Sequence, residues 1–133
     1  IEHRELALKL GADWTGPPHE DPPRKLDRAI DFTPIGETIP RVLELLNPGG
    51  RIVVNVIRKQ TPIILNYDKH LWYEREVKSV ANVTRKDVKE LLQLIGGISL
   101  DIHIEEYKLE DVNNALRNLK SAKVKGSAVL RIA

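Results

Sequence analysis

The sequence contains no cysteine, and this absence removes several kinds of chemistry at once. Disulfides, thiolate nucleophiles and zinc sites with cysteine ligands are all excluded within these 133 residues. No run of about 18 apolar residues exists that could form a membrane-spanning helix. No secretory signal opens the chain either, so we expect a cytoplasmic protein without a membrane partner.

Methionine is absent as well, which bears on how the chain begins. A natural chain would start with Met, and removal of that Met normally requires a small second residue, which Ile1 is not. Residues 2–10 moreover predict a helix that has no upstream cap. We therefore expect Ile1 to be an internal point of a longer chain or a truncated start, although an omitted disordered initiator segment would explain the same observation.

An excess of charge of one sign is also lacking. The 21 basic residues nearly balance the 19 acidic ones, and the net charge is +2. The charges are interspersed, so nothing indicates nucleic acid or an anionic membrane as a partner. An apolar content of 41% and a charged content of 30% predict one globular domain with a highly charged surface.

Residues 25–57 carry the most regular pattern and predict one βαβ unit. The predicted elements are a strand at 26–32, a loop at 33–36, a helix at 37–46, a Pro-Gly-Gly stop at 47–50 and a strand at 51–57. The apolar face of the helix falls at spacings of three and four, on Ile39, Val42, Leu43 and Leu46. The second strand is a continuous apolar run, which is typical of a strand covered on both faces in a parallel sheet.

The remaining periodic segments continue the alternation of helices and strands. We predict further helices at 2–10, at 85–95 and from 109 onward, and strands at 12–15, 63–65, 76–82, 102–107 and 128–132. The predicted inward faces of the last two helices consist of Val88, Leu91, Leu92 and Ile95, and of Val112, Ala115, Leu116 and Leu119. This order indicates the α/β class, with a mostly parallel sheet and helices on both of its faces.

No complete catalytic motif is present. The sequence lacks G-x-G-x-x-G, the P-loop, G-x-S-x-G and H-E-x-x-H. His19 lies in an acidic, proline-rich loop, where solvation is a better explanation than metal binding. His70 could act as an acid or base, but no hydroxyl or thiol nucleophile accompanies it in the sequence. We therefore predict no catalytic residue and no metal ligand in this chain.

Four segments, in the right order, resemble the carboxyl-terminal part of the zinc-type alcohol dehydrogenases, in the medium-chain dehydrogenase/reductase family. They are HRELALKLGADWTG, KLDRAIDFTPIGETIPRVLELLNPGGRIVVNVIRK, HLWYEREVKSVANVTRKDVKELLQL and EEYKLEDVNNALRNLKSAKVKGSAVLRI. The resemblance implies that residues 1–133 are the carboxyl-terminal portion of an incomplete Rossmann-like, NAD(P)-binding domain. The glycine-rich βα unit and the catalytic zinc domain would both lie upstream.

The resemblance further implies NAD or NADP as the cofactor and an alcohol or aldehyde as the substrate. The implied cofactor contacts follow three strands and are Thr33, Pro34, Ile35, Asn55, Val56, Ile57, Ala81 and Asn82. The same residues could instead serve only as the turns and strand ends that a βα unit requires. Ser127 departs from the family, in which Arg often follows this glycine, and its presence removes a charge-assisted bond to the cofactor phosphates.

Two functions remain open. The chain is part of a zinc-dependent alcohol dehydrogenase and inactive alone, or it is a non-catalytic α/β domain for oligomerisation or interaction. A glycine-rich motif and Cys or His ligands encoded immediately upstream would favour the first. In either case we expect a homodimer, with residues 63–73 as the contact, because Leu71, Trp72 and Tyr73 form an apolar anchor. An incomplete sheet also leaves an edge open for association.

Overall fold

A computed structural model describes residues 2–132 and divides the chain into two compact units. One unit is Trp14–Arg85, and the other combines Ile1–Asp13 with Lys86–Ala133. The first contains a three-stranded sheet and the second a two-stranded sheet, and every strand pair is parallel. The α/β class with parallel strands is therefore confirmed, whereas the prediction of one shared sheet is wrong.

The elements alternate along the chain nearly as the sequence predicts. In order they are α1 (Glu2–Lys9), β1 (Leu26–Asp31), α2 (Thr38–Leu45), β2 (Leu46–Val54), a π-helical turn (Tyr67–Leu71), β3 (Glu76–Ser79), α3 (Arg85–Ile95), β4 (Ile104–Lys108), a 3-10 turn (Leu109–Asp111), α4 (Val112–Lys120) and β5 (Ser127–Arg131).

Two predicted strands are wrong. Residues 12–15 are irregular, because Gly11 adopts a positive φ of 99° that ends α1 without starting a strand. Residues 63–65 are also irregular, and the chain then enters the π-helical turn. The side chain of Asn66 caps that turn by accepting a hydrogen bond from the Lys69 N–H at 3.0 Å. A capped turn therefore follows the short apolar run, where the sequence suggested a strand.

The core of the first unit is the contact between α2 and the strands beside it. Its buried members are Ile39, Leu43, Leu46, Ile52 and Val54. Ile39 and Leu43 lie on the predicted apolar face of α2, and Val42 packs against the cluster from a half-buried position. Burial of each such side chain stabilises the fold by about 1.5–3 kcal/mol. The helical spacing therefore predicted the core face correctly.

The predicted start of the second strand is wrong, because β2 begins at Leu46 and not at residue 51. Leu46 pairs with Leu26, and the register then shifts so that Arg51 pairs with Arg28. The extra residues form an irregularity in which Gly49 has a φ of 70° and donates its N–H to the Tyr73 carbonyl at 2.8 Å. α2 ends at Leu45, so the predicted helix stop at the Pro-Gly-Gly segment is confirmed, and the segment also forms a bulge within β2.

The second unit exposes most of its apolar side chains. Its two strands pair from Ile104 with Ser127 to Lys108 with Arg131. Ala115 is the buried residue of α4, while Leu116 and Leu119 are exposed, and α3 has no buried residue. Within the described residues the predicted inward face of α3 is therefore wrong, whereas that of α4 is confirmed only at Ala115 and at the half-buried Val112. A two-stranded sheet offers too little surface to cover two amphipathic helices.

The apolar face of α2 is buried and that of α3 is exposed, so the same Leu-to-Ala substitution should have different effects in the two helices. Leu43 is 0% exposed and Leu91 is 55% exposed. We expect Leu43→Ala to lower the free energy of unfolding by about 2–5 kcal/mol, because it leaves a cavity in the core. Leu91→Ala should change it by no more than about 0.5 kcal/mol. Urea denaturation of both variants tests this, and equal losses would contradict the assigned core.

Candidate functional site

The carboxyl ends of three parallel strands lie at one edge of the first sheet. Asp31 of β1 pairs with Val54 of β2, and Val54 pairs with Ser79 of β3. The ladder continues one step further, since the Val80 N–H donates to the Val54 carbonyl at 3.2 Å. In open α/β sheets ligands bind beyond these ends. The loops that leave β1, β2 and β3 at this edge are therefore the candidate site.

The structure places every sequence-predicted site residue just beyond this edge. Three follow β1 (Thr33, Pro34, Ile35), three follow β2 (Asn55, Val56, Ile57) and two follow β3 (Ala81, Asn82). All are exposed except Val56, which is half-buried. The first two groups are joined directly, because the Asn55 N–H donates to the Asp31 carbonyl at 2.8 Å. The binding role of these residues stays a prediction.

A buried ion pair lies beneath the loop that follows β1, and it was not among the predictions made from the sequence. Asp31 is only 4% exposed, and its Oδ2 accepts a hydrogen bond from Lys59 Nζ at 2.5 Å. The other carboxylate oxygen, Oδ1, accepts from the Thr33 hydroxyl at 2.7 Å and from the Thr33 N–H at 3.2 Å. Both oxygens of a buried carboxylate are thus satisfied, as burial requires.

Further hydrogen bonds join the loop after β1 to the segment that follows β2. The Gln60 N–H donates to the Pro34 carbonyl at 2.8 Å, and the Gly36 N–H donates to the Thr61 hydroxyl at 2.7 Å. Gly36 also requires its small size, because a Cβ there would lie 2.3 Å from the Pro62 carbonyl oxygen. The two segments therefore behave as one bonded structure at the candidate site.

The environment of Asp31 determines its charge. Burial would by itself raise the pKa of the Asp31 carboxyl, but hydrogen bonds from Lys59 and Thr33 favour the ionised form. Together with the positive charge of Lys59, they lower the pKa of Asp31 below its usual value. The carboxylate is therefore ionised at neutral pH and is fully engaged inside the protein.

The two histidines weighed from the sequence lie elsewhere. His70 is buried, its Nδ1 accepts from the Asn66 N–H at 2.8 Å, and its Nε2 lies 3.4 Å from the Glu44 carboxylate. This bonding assigns the proton to Nε2 and joins the π-helical turn to α2. His19 is exposed in the proline-rich loop. Residues 2–132 contain no group of three or more His, Asp or Glu that could hold a metal ion.

Comparison with known proteins identifies the family. The model of the zinc-binding dehydrogenases matches residues 11–130. The chain belongs to this family. A probable alcohol dehydrogenase, AdhA, of Mycobacterium tuberculosis (strain CDC 1551 / Oshkosh) is 35% identical to this chain over 129 residues. Those residues are 97% of the chain but correspond to only 37% of the relative's length.

Solved structures confirm the fold of this chain. A cinnamyl alcohol dehydrogenase of Sorghum bicolor matches 97% of it with a TM-score of 0.81 at 26% identity. An alcohol dehydrogenase of the archaeon Aeropyrum pernix matches 98% with a TM-score of 0.79 at 23% identity. The chain spans 38% and 40% of these two proteins. None of the helices in residues 2–132 combines the length and the apolarity that crossing a membrane requires.

The lowered pKa of Asp31 predicts a pH dependence of stability. Its ionised form contributes stability above the unfolded-state pKa of about 3.9, and this contribution is lost as the pH falls through the lower folded-state value. We expect Asp31→Asn to be less stable than the wild type by about 1–3 kcal/mol at neutral pH, and by less in acid. Asp68→Asn, at an exposed position of the π-helical turn, is the control. Urea denaturation at pH values from neutrality down to below the folded-state pKa of Asp31 measures the difference in unfolding free energy between each variant and the wild type. A difference for Asp31→Asn that stays constant with pH would refute the expectation.

Proposed function

We propose that this chain forms the cofactor-facing edge of an oxidoreductase that transfers a hydride between NAD(P) and an alcohol or aldehyde. One observation carries the proposal: the aligned carboxyl ends of β1, β2 and β3, at Asp31, Val54 and Ser79. Membership of the zinc-binding dehydrogenases supports the reaction type, and the relatives' names support an alcohol as the substrate. The proposal concerns the whole enzyme, of which these residues would be one part.

The residues after β2 fit a nicotinamide cofactor best. Ile57 is fully exposed, and its backbone N–H and carbonyl make no hydrogen bond within residues 2–132. An amide group of a ligand needs one acceptor and one donor, and a strand end of this kind offers both beside an apolar side chain. Thr33, Pro34 and Ile35 would border the cofactor on one side, and Ala81 and Asn82 on the other. When bound, the nicotinamide supplies the hydride chemistry.

Zinc does not fit the described residues, and we derive no step through it. Its usual ligands are Cys, His and carboxylates in a cluster, whereas the chain has no cysteine and residues 2–132 hold no such cluster. We propose that the metal ligands and the glycine-rich βα unit belong to a part of the enzyme outside these 133 residues. No specific observation favours the alternative of a purely non-catalytic interaction domain.

The segment at residues 63–73 remains our proposed contact in a homodimer. Although it is not a strand, it presents an aromatic pair in which the rings of Tyr67 and Trp72 meet edge to face, with centroids 5.9 Å apart. Trp72 is 58% exposed, and Ile64 of the same segment is exposed as well. Exposed aromatic side chains of this kind commonly anchor protein contacts.

Titration with NADH and NADPH tests the cofactor proposal. The sequence has no glycine-rich phosphate loop, so we expect weak binding, with a dissociation constant on the order of 1 mM. In ¹⁵N-resolved NMR spectra, the shifts should concentrate at residues 33–35, 55–57 and 81–82. Ile57→Asp should abolish them, since its carboxylate repels the anionic cofactor. Ile102→Asp, exposed in the other unit, should leave them unchanged. Absent or scattered shifts would refute the proposal.

Sedimentation of a tryptophan variant tests the proposed dimer. We expect Trp72→Ala to weaken dimerisation at least about tenfold, because it removes a large aromatic anchor from the interface. Leu94→Ala removes a similarly exposed apolar side chain from α3 and should leave the association constant unchanged. Unaltered dimerisation of Trp72→Ala would exclude residues 63–73 as the contact.

A further inference from the structure

Lys59 has a bonding arrangement that charge neutralisation of Asp31 alone does not explain. We propose that the Lys59 ammonium is a positioning group, which fixes the backbone of residues 33–35 in the conformation that faces the cofactor. The inference rests on the proposed cofactor site, and it adds a residue to which neither sequence motif nor family membership points. Lys59 itself would not touch the cofactor.

The ammonium group of Lys59 uses all of its hydrogen-bond donors inside the protein. Lys59 Nζ donates to Asp31 Oδ2 at 2.5 Å, to the Thr33 carbonyl at 2.7 Å and to the Ile35 carbonyl at 3.0 Å. A lysine has three N–H donors, so all three are used inside the protein. The side chain is only 14% exposed. Its charge is therefore not available to bind a cofactor phosphate, as a basic residue at a strand end otherwise could.

Lys59 and Gln60, in the segment after β2, bind every backbone carbonyl of residues 33–35, the proposed cofactor loop. Thr33 and Ile35 direct their carbonyls to Lys59 Nζ, and the carbonyl between them, on Pro34, accepts from the Gln60 N–H. With all three carbonyls bound on one side, the three side chains remain exposed. The loop is thus pre-organised before any ligand arrives, which lowers the ordering cost of binding.

The shape of the Lys59 ammonium also matters. Three oxygens converge on one point, which suits a compact ammonium with three rotatable donors. A guanidinium is planar and spreads its donors in a fork, so Lys59→Arg would keep the charge but not the three convergent bonds. Conversely, removal of the side chain leaves three oxygens around a space that a small ammonium ion can occupy. We call this arrangement, Lys59 Nζ bound to Asp31 and to the carbonyls of Thr33 and Ile35, the Lys59 clamp. Replacement of the lost side chain by an ammonium ion distinguishes the clamp from a simple ion pair.

Hydrogen exchange tests the clamp without any cofactor. In Lys59→Ala we expect the Gly36 and Gln60 amides, which both bridge the two segments, to exchange at least about tenfold faster. Ammonium chloride should restore their protection, whereas sodium chloride and Lys59→Arg should not. Lys78→Ala, at an exposed position of β3, is the control. Unchanged protection in Lys59→Ala, or equal rescue by sodium, would overturn the proposal.

A second measurement uses the wild-type protein, in case Lys59→Ala does not fold. A buried ammonium with three acceptors exchanges its protons slowly, so Lys59 should give a resolved ¹⁵N signal that the exposed lysines do not give. Absence of a protected lysine signal would also overturn the proposal.

Cofactor titration connects the clamp to the proposed site. Lys59→Ala should lose at least about tenfold in NADH affinity, with recovery in ammonium chloride but not in sodium chloride. If the wild type itself fails to bind NADH, the proposed function fails while the exchange data still decide the clamp. A third outcome is that Lys59→Ala exchanges the Gly36 and Gln60 amides faster but binds NADH as tightly as the wild type. Lys59 would then hold residues 33–35 without positioning them for the cofactor, and the inference would be wrong.

Discussion

The packing of α2 on the first sheet is the interaction on which the rest of the structure depends. Ile39 and Leu43 of the helix meet Leu46, Ile52 and Val54 of β2, and these residues are the buried core of the unit. Their burial holds β1 and β2 in register, and the register places the carboxyl ends of the strands at one edge. Every feature of the candidate site therefore derives from one helix face. Much of the apolar surface elsewhere in the described chain remains exposed, so no second core of this size supports the site.

The sequence predicted the parts of the fold that local periodicity controls. Spacings of three and four identified the buried face of α2, and apolar residues located β1 to within one residue, whereas β2 spans Leu46–Val54 instead of the predicted 51–57. It failed where a distant partner decides the structure. Gly49 bonds to the carbonyl of Tyr73, far along the chain, and the segment predicted only to stop the helix also forms a bulge at the start of β2. The amphipathic pattern of α3 was real, but a pattern shows which face can be buried and not whether a surface exists to cover it.

The candidate site, too, could be predicted from the sequence only in part. The eight predicted residues lie at the expected edge, because strand ends can be inferred from apolar runs and the direction of a parallel sheet. No role was predicted for Lys59 from the sequence. One signal could have found it: Asp31 is the second-last residue of one predicted strand (26–32), and Lys59 lies just beyond the end of the next (51–57). In a parallel pair, acidic and basic residues at such positions come to the same edge. The two carbonyls that complete the arrangement have no sequence signature at all.

The three bonds of Lys59 have a consequence for chemical labelling of the protein. Reagents that acylate or reductively alkylate amines require a deprotonated nitrogen with an accessible lone pair. An ammonium that is largely buried and donates each proton to an oxygen is not accessible to such a reagent while the protein is folded. Lys59 should therefore be the last lysine to react, and the moment at which it does would report the opening of the loop at the carboxyl end of β1.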